Sequence, residues 1–286
     1  MPNTPVPPTA PVLSTVPSTF PDDRITVTSI AVLAFIVADM AHESAGHIFG
    51  FFLAGGKSAL LTTTRLIEWI ALGDPQWRIF DLGGPAGNLA FAFLAWLIQR
   101  FVRQRPIQLR FFLWLVMAFS FFWAFGYMVF CGVTGRGDWM ALIQGTKFLW
   151  PGRILFVLLG LLLYRASINL AAKELRSIFP AHDSNAGSRV SRLIWISYIS
   201  AGLIACAGAT LDPRGPMEIL RSGALSSFGA AIGLFYIRRN FLCLPGPQNL
   251  PENRISRDLP WILAALAGAI YFIGILGPGI QIWLGD

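Results

Sequence analysis

His42, Glu43 and His47 are the residues whose types and spacing invite chemistry. They sit with Asp39 in the segment Asp39-Met40-Ala41-His42-Glu43-Ser44-Ala45-Gly46-His47, inside an apolar run from about Ile25 to Leu53. An ionisable group at the centre of a membrane helix costs at least ~2.5–3.5 kcal/mol, so this cluster reads by default as a functional site. A zinc hydrolase needs neutral imidazoles on the metal and a carboxylate beside them to take a proton from water. On a regular helix, ligands at i and i+4 share a face, whereas His42 and His47 are spaced i, i+5. At 3.6 residues per turn that spacing points the two rings about 140° apart. A one-residue π-bulge would bring them together, and Gly46 eases such a distortion. A regular helix would instead align Asp39, Glu43 and His47 at i, i+4, i+8. That stripe could bind a metal without His42, relay protons, or simply pair within the bundle.

Two further places join this one. Gly83-Gly84-Pro85-Ala86-Gly87-Asn88 is expected to open the second span, with Pro85 in the first helical turn. Asn88, one turn into the membrane, must then hydrogen-bond a substrate backbone, an oxyanion or a neighbouring loop. Gly135-Arg136-Gly137-Asp138-Trp139 follows the third span. Alone it reads as a solvated turn. The order of spans puts it on the same membrane face as His47 and Asn88, so Asp138 can be a third metal ligand that leaves a fourth position open to water.

The elements that must position these residues follow from composition. The chain has 286 residues, 55% hydrophobic and 13% charged, with mean hydropathy +0.59. Soluble domains carry roughly 25% charged residues, so the expected fold is an all-α integral membrane protein with the lipid bilayer as its solvent. Seven stretches are long enough to span: about 25–53, 82–102, 110–131, 153–171, 191–211, 218–237 and 260–283. Residues 1–23 carry seven prolines and read as a disordered tail. Residues 24–150 hold the three motifs, and 151–286 hold the remaining spans. The loop at about 54–81 mixes apolar and hydroxyl residues and reads as a β-hairpin, re-entrant or interfacial segment. The net charge of +7 lies between spans and marks orientation rather than nucleic-acid binding. Arg100, Arg103, Arg105 and Arg110 fill the second loop, and the even loops stay the more basic. The positive-inside rule then places the N-terminus in the cytoplasm of a multi-pass protein, expected in a bacterial inner membrane.

Together the three motifs resemble the site-2 protease family of intramembrane zinc metalloproteases. Gly84-Pro85-Ala86-Gly87-Asn88 matches that family's Gly-Pro-x-x-Asn position by position, and Asp138 falls where its ligand aspartate is expected. The resemblance covers about residues 26–150 and implies a three-helix catalytic core. It implies Zn²⁺ on His42, His47 and Asp138, with Glu43 as general base and Asn88 positioning substrate or stabilising the oxyanion. The implied substrate is a membrane protein cleaved within a transmembrane helix. The sequence departs from the family in three ways. His42-Glu43-Ser44-Ala45-Gly46-His47 has one residue more than H-E-x-x-H and is similar to the H-E-x-x-x-H of the soluble dipeptidyl peptidases. Trp139 follows the aspartate where the family often has Gly, and the charge pattern puts the site nearer the outer face. Two other functions remain open on sequence: an inactive homologue that binds membrane proteins, which calls for a regular helix at 42–47, and a proton-coupled transporter using Asp39, Glu43 and His47.

Overall fold

The computed structural model describes residues 22–68, 73–179, 186–244 and 254–283. The expected proline-rich tail lies outside these, apart from Asp22 and Asp23. Among the described residues, seven helices are long and apolar enough to cross a membrane. These are α1 (Arg24–Leu53), α2 (Asp74–Phe101), α3 (Ile107–Thr134), α4 (Leu149–Ile178), α5 (Ala186–Leu211), α6 (Ile219–Cys243) and α7 (Leu259–Leu276). The chain therefore fits a multi-pass membrane protein.

Local chemistry sets where these helices start and stop. Asp23 caps α1, its Oδ1 accepting from Thr26 N and Thr26 Oγ1, both at 2.9 Å. The second span begins at Asp74, not near residue 82. Pro75 sits in its first turn, where the missing N–H costs nothing. Gly83-Gly84-Pro85 thus lies inside a helix that continues through it, and Pro85 only deprives the Asp81 carbonyl of its helical donor. Gly135 ends α3 in the left-handed conformation, φ 70°, with its N–H on Cys131 O at 2.8 Å. The chain then turns through Gly137 into a short 3₁₀ helix, Asp138–Leu142.

The fold is not purely helical. The first loop forms a hairpin, β1 (Ser58–Leu61) and β2 (Leu66–Glu68). The seventh span, expected to run to residue 283, ends at Leu276. Pro278 and Gly279 (φ 101°) break the helix, and Ile280–Trp283 forms β3. β3 pairs antiparallel with β1 in the register Ala59↔Ile282 and Leu61↔Ile280, giving the order β2-β1-β3.

α3 forms the centre of the bundle. Phe111, Trp114, Leu115, Met117 and Phe122 along it are almost completely buried, and Trp114 Nε1 donates to Ala171 O of α4 at 2.8 Å. The outer helices expose large apolar side chains such as Phe93, Leu158, Leu162 and Leu266, as helices facing lipid tails do.

Candidate metal centre

Residues Ala41–Ile48 are a π-helical stretch within α1. A π-helix adds a residue per turn, so two side chains five apart come to share a face. His42 and His47 do so: their ring centroids are 4.8 Å apart. The wide turn is accommodated because α2 meets it with glycines. A Cβ on Gly46 would lie 2.8 Å from Gly84 Cα, and one on Gly87 would lie 2.8 Å from Gly46 Cα. A Cβ on Gly84 would reach to 2.5 Å from His47 Nε2 and 2.6 Å from His42 Nε2. The sequence Gly84-Pro85-Ala86-Gly87-Asn88 therefore has a packing reason: Gly84 clears space for both imidazoles and Gly87 admits the α1 backbone.

Second partners orient both rings. His42 Nδ1 is 2.9 Å from Asn88 Oδ1, and His47 Nδ1 is 3.0 Å from Phe80 O. Asn88 Nδ2 donates to Ala38 O at 2.8 Å, which fixes the amide with its oxygen toward His42. Each Nδ1 must then carry a hydrogen and donate it, which leaves Nε2 as the coordinating position. His42 also stacks on Trp123, centroids 5.9 Å apart, and His47 packs at a tilt against Phe80 at 4.9 Å.

The third loop brings Asp138 to these nitrogens. Its Oδ2 is 3.0 Å from His42 Nε2 and 3.3 Å from His47 Nε2, and only 16% of its side chain is exposed. Burial alone would raise the Asp138 carboxyl, but the imidazoles of His47 and His42 outweigh it and hold the group well below the usual carboxylate range. Two Nε2 atoms and one carboxylate oxygen, all able to act as acceptors, need positive charge among them. Protons on the rings supply it, and so would one divalent cation. Glu43 completes the cluster, since ligand atoms of His42, Glu43 and His47 lie within 4.8 Å of one another. Its Oε2 is buried with no hydrogen-bond partner, as is Oδ2 of Asp39 one turn earlier.

The expected site residues separate into two groups. His42, Glu43, His47 and Asp138 line one cavity of ≈ 220 Å³. Asn88 does not reach it: the residue is 0% exposed and both ends of its amide are engaged within the bundle. Instead of facing a substrate, it holds His42. The cavity wall also contains Tyr127, Trp77, Phe80 and the hairpin residues Thr64, Arg65 and Leu66. Of these, Tyr127 carried a usable sequence signal, being the one tyrosine among the Phe and Trp of α3. The hairpin contribution depends on long-range pairing and had none.

Comparison with protein-family models, with curated proteins and with solved structures finds no match to the chain. What the site can do therefore rests on its own geometry.

Proposed function

We propose that the protein is a zinc-dependent intramembrane endopeptidase. One observation carries the reading: two imidazoles with their Nδ1 atoms committed to carbonyl oxygens turn both Nε2 atoms onto one oxygen of Asp138, with Glu43 beside them. That donor set, two nitrogens and one carboxylate oxygen, suits a tetrahedral catalytic zinc site with one open position. His42, His47 and Asp138 would hold the ion. A zinc ion there supplies Lewis acidity, which makes water acidic near neutral pH and polarises a carbonyl.

The chain's own residues divide the remaining work. Glu43, aimed into the cavity with an unpartnered oxygen, takes a proton from the attacking water and hands it to the departing amine. The water oxygen bonds to the carbonyl carbon, and the C–N bond breaks. Asn88 and Phe80 O keep the two rings in place. The helical form of a membrane substrate sets a requirement. A helix ties each carbonyl into an internal hydrogen bond behind its side chains. A transmembrane segment must unwind before its scissile bond reaches Glu43, so segments weakened by Gly or Pro are the expected substrates.

The experiment is metal analysis of purified protein together with cleavage of a single-span reporter in detergent micelles, wild type against Glu43→Gln. The expected result is about one zinc per chain in both proteins, and a fall in kcat of ~10³–10⁴-fold in the variant, the upper part of what a proton-transfer group gives, because Glu43 acts twice. Absence of zinc from the wild type, or unchanged cleavage by Glu43→Gln, overturns the reading.

A further inference from the structure

Resting on the proposed peptidase reading, a second question arises from Asn88. Addition of water to an amide leaves negative charge on the carbonyl oxygen, and a preorganised donor for that oxygen is commonly the largest single contribution to such catalysis. Asn88 is out of reach and already spent. Thr64 is committed too, donating its hydroxyl to Asp212. The Nδ1 hydrogens of both imidazoles face away, toward Asn88 and Phe80.

Tyr127 meets the requirement. Its side chain lines the cavity that holds Glu43, and its ring packs edge-on to His42, centroids 6.0 Å apart. It stacks on Phe130 at 5.8 Å, which fixes the ring plane. Its hydroxyl donates to Asp138 Oδ1 at 3.3 Å, the oxygen opposite the one that faces the imidazoles. At 3.3 Å this bond is longer than the 2.7–2.8 Å usual between two oxygens, so the hydrogen is held in place yet easily redirected. Space for the hydroxyl is built into the turn. Gly137 has φ 99°, and a Cβ there would lie 2.5 Å from Tyr127 Oη and 2.8 Å from Cys131 Sγ.

We infer that Tyr127 is a catalytic residue: its hydroxyl leaves Asp138 Oδ1 and donates to the carbonyl oxygen as that oxygen becomes negative. No proton changes owner in this step. The hydrogen bond returns to Asp138 when the C–N bond has broken and the carbonyl has reformed.

The test compares zinc-loaded wild type, Tyr127→Phe and Glu43→Gln in micelles. Phe keeps the ring contacts with His42 and Phe130 and removes only the hydroxyl. Three quantities are measured: zinc affinity, kcat and KM for the single-span reporter, and affinity for a phosphinic peptide whose P–O⁻ stands in for the negative oxygen. For Tyr127→Phe the expected result is zinc affinity close to wild type, unchanged KM, and kcat lower by ~10²–10³-fold. The phosphinic peptide should weaken by a similar factor, since it mimics the same charge. Activity that returns in excess zinc would mean the hydroxyl merely steadies Asp138, and the inference falls. Unchanged kcat and phosphinic affinity also overturn it while the wild type cleaves and Glu43→Gln does not, in which case the peptidase reading survives. A wild type that holds no zinc removes both.

Discussion

The two halves of the molecule share their building devices and differ in what they bury. π-helical stretches occur in both, at Ala41–Ile48 in α1 and at Ile219–Leu225 and Phe272–Leu276 in α6 and α7. Close glycine contacts also occur in both, Gly46 and Gly87 between α1 and α2, and Gly223 of α6 against Cys206 Cα of α5. The wide turn of α1 buries His42, Glu43 and His47, whereas those of α6 and α7 bury Gly223, Phe272 and Leu276. The C-terminal half nevertheless reaches the site. β3 pairs with β1, and Asp212 in the loop after α5 accepts the hydroxyl hydrogen of Thr64 at the hairpin turn. Arg214 braces that contact, 3.0 Å from Asp212, 2.6 Å from Thr64 Oγ1 and 3.2 Å from Glu218. The first half thus holds the cluster of His42, Glu43, His47 and Asp138, and the second braces the hairpin wall in front of it. A site in lipid can be made by few helices, but the irregular backbone that covers it needs partners to satisfy its hydrogen bonds.

Three substitutions break or sharpen this contrast. The largest effect is expected from Gly84→Ala. The new methyl occupies the space of both Nε2 atoms, so zinc content should fall from about one per chain toward zero by elemental analysis, with the helical circular dichroism preserved. A packed-core overfill of this kind costs typically ~1–3 kcal/mol, within reach of a bundle this size. Next comes Asn88→Ala, which releases His42 Nδ1 and leaves Ala38 O unpaired. Zinc affinity should drop by ~10–100-fold, the usual cost of losing an outer partner of a ligand, measured by competition with a chelator.

The smallest effect lies in the other half. Burial alone would raise the Asp212 carboxyl, but Arg214 and Thr64 hold it below its ordinary value. A carboxyl lowered in the folded state stabilises above its unfolded pKa, about 3.9, and that stabilisation is lost as pH falls through the folded value. Hydrogen-exchange protection of residues 58–61 and 66–68 should therefore weaken as pH falls from about 5 toward 3 after correction for intrinsic exchange. In Asp212→Asn protection should be lower at neutral pH and should not change over that window. Equal pH dependence in both proteins would show that the loop does not hold the hairpin.

Much of this was legible in sequence, and the reasons are local. Hydropathy locates the spans because a spanning helix needs length and apolar composition and little else. The i, i+5 spacing of His42 and His47 forces a choice between divergent rings and a π-bulge, and the structure has the bulge. The start of α2 was not legible. Gly83-Gly84-Pro85 looks like a helix start, but those glycines serve the contact with α1, and the true start at Gly73-Asp74-Pro75 sits in a more polar stretch. β3 was also hidden, since Ile280–Trp283 is short and mostly apolar after an apolar helix, and its pairing with β1 is what makes it a strand. Asn88 reads as a substrate group because it is polar and near the site. Its assignment to His42 depends on a rotation of α2 that no local pattern sets.

The extra residue between the histidines is absorbed where it stands. The π turn at Ala41–Ile48 takes up the roughly 100° that one added residue would otherwise impose on the rest of a regular helix. Gly50, where a Cβ would lie 2.8 Å from Ile79 O, and Phe51, edge-on to Phe80 at 6.2 Å, therefore both still face α2. Straightening the turn without removing a residue would rotate this whole end of the helix away from its neighbour. The length of the motif and the shape of its turn are therefore one inherited unit: neither can change without the other.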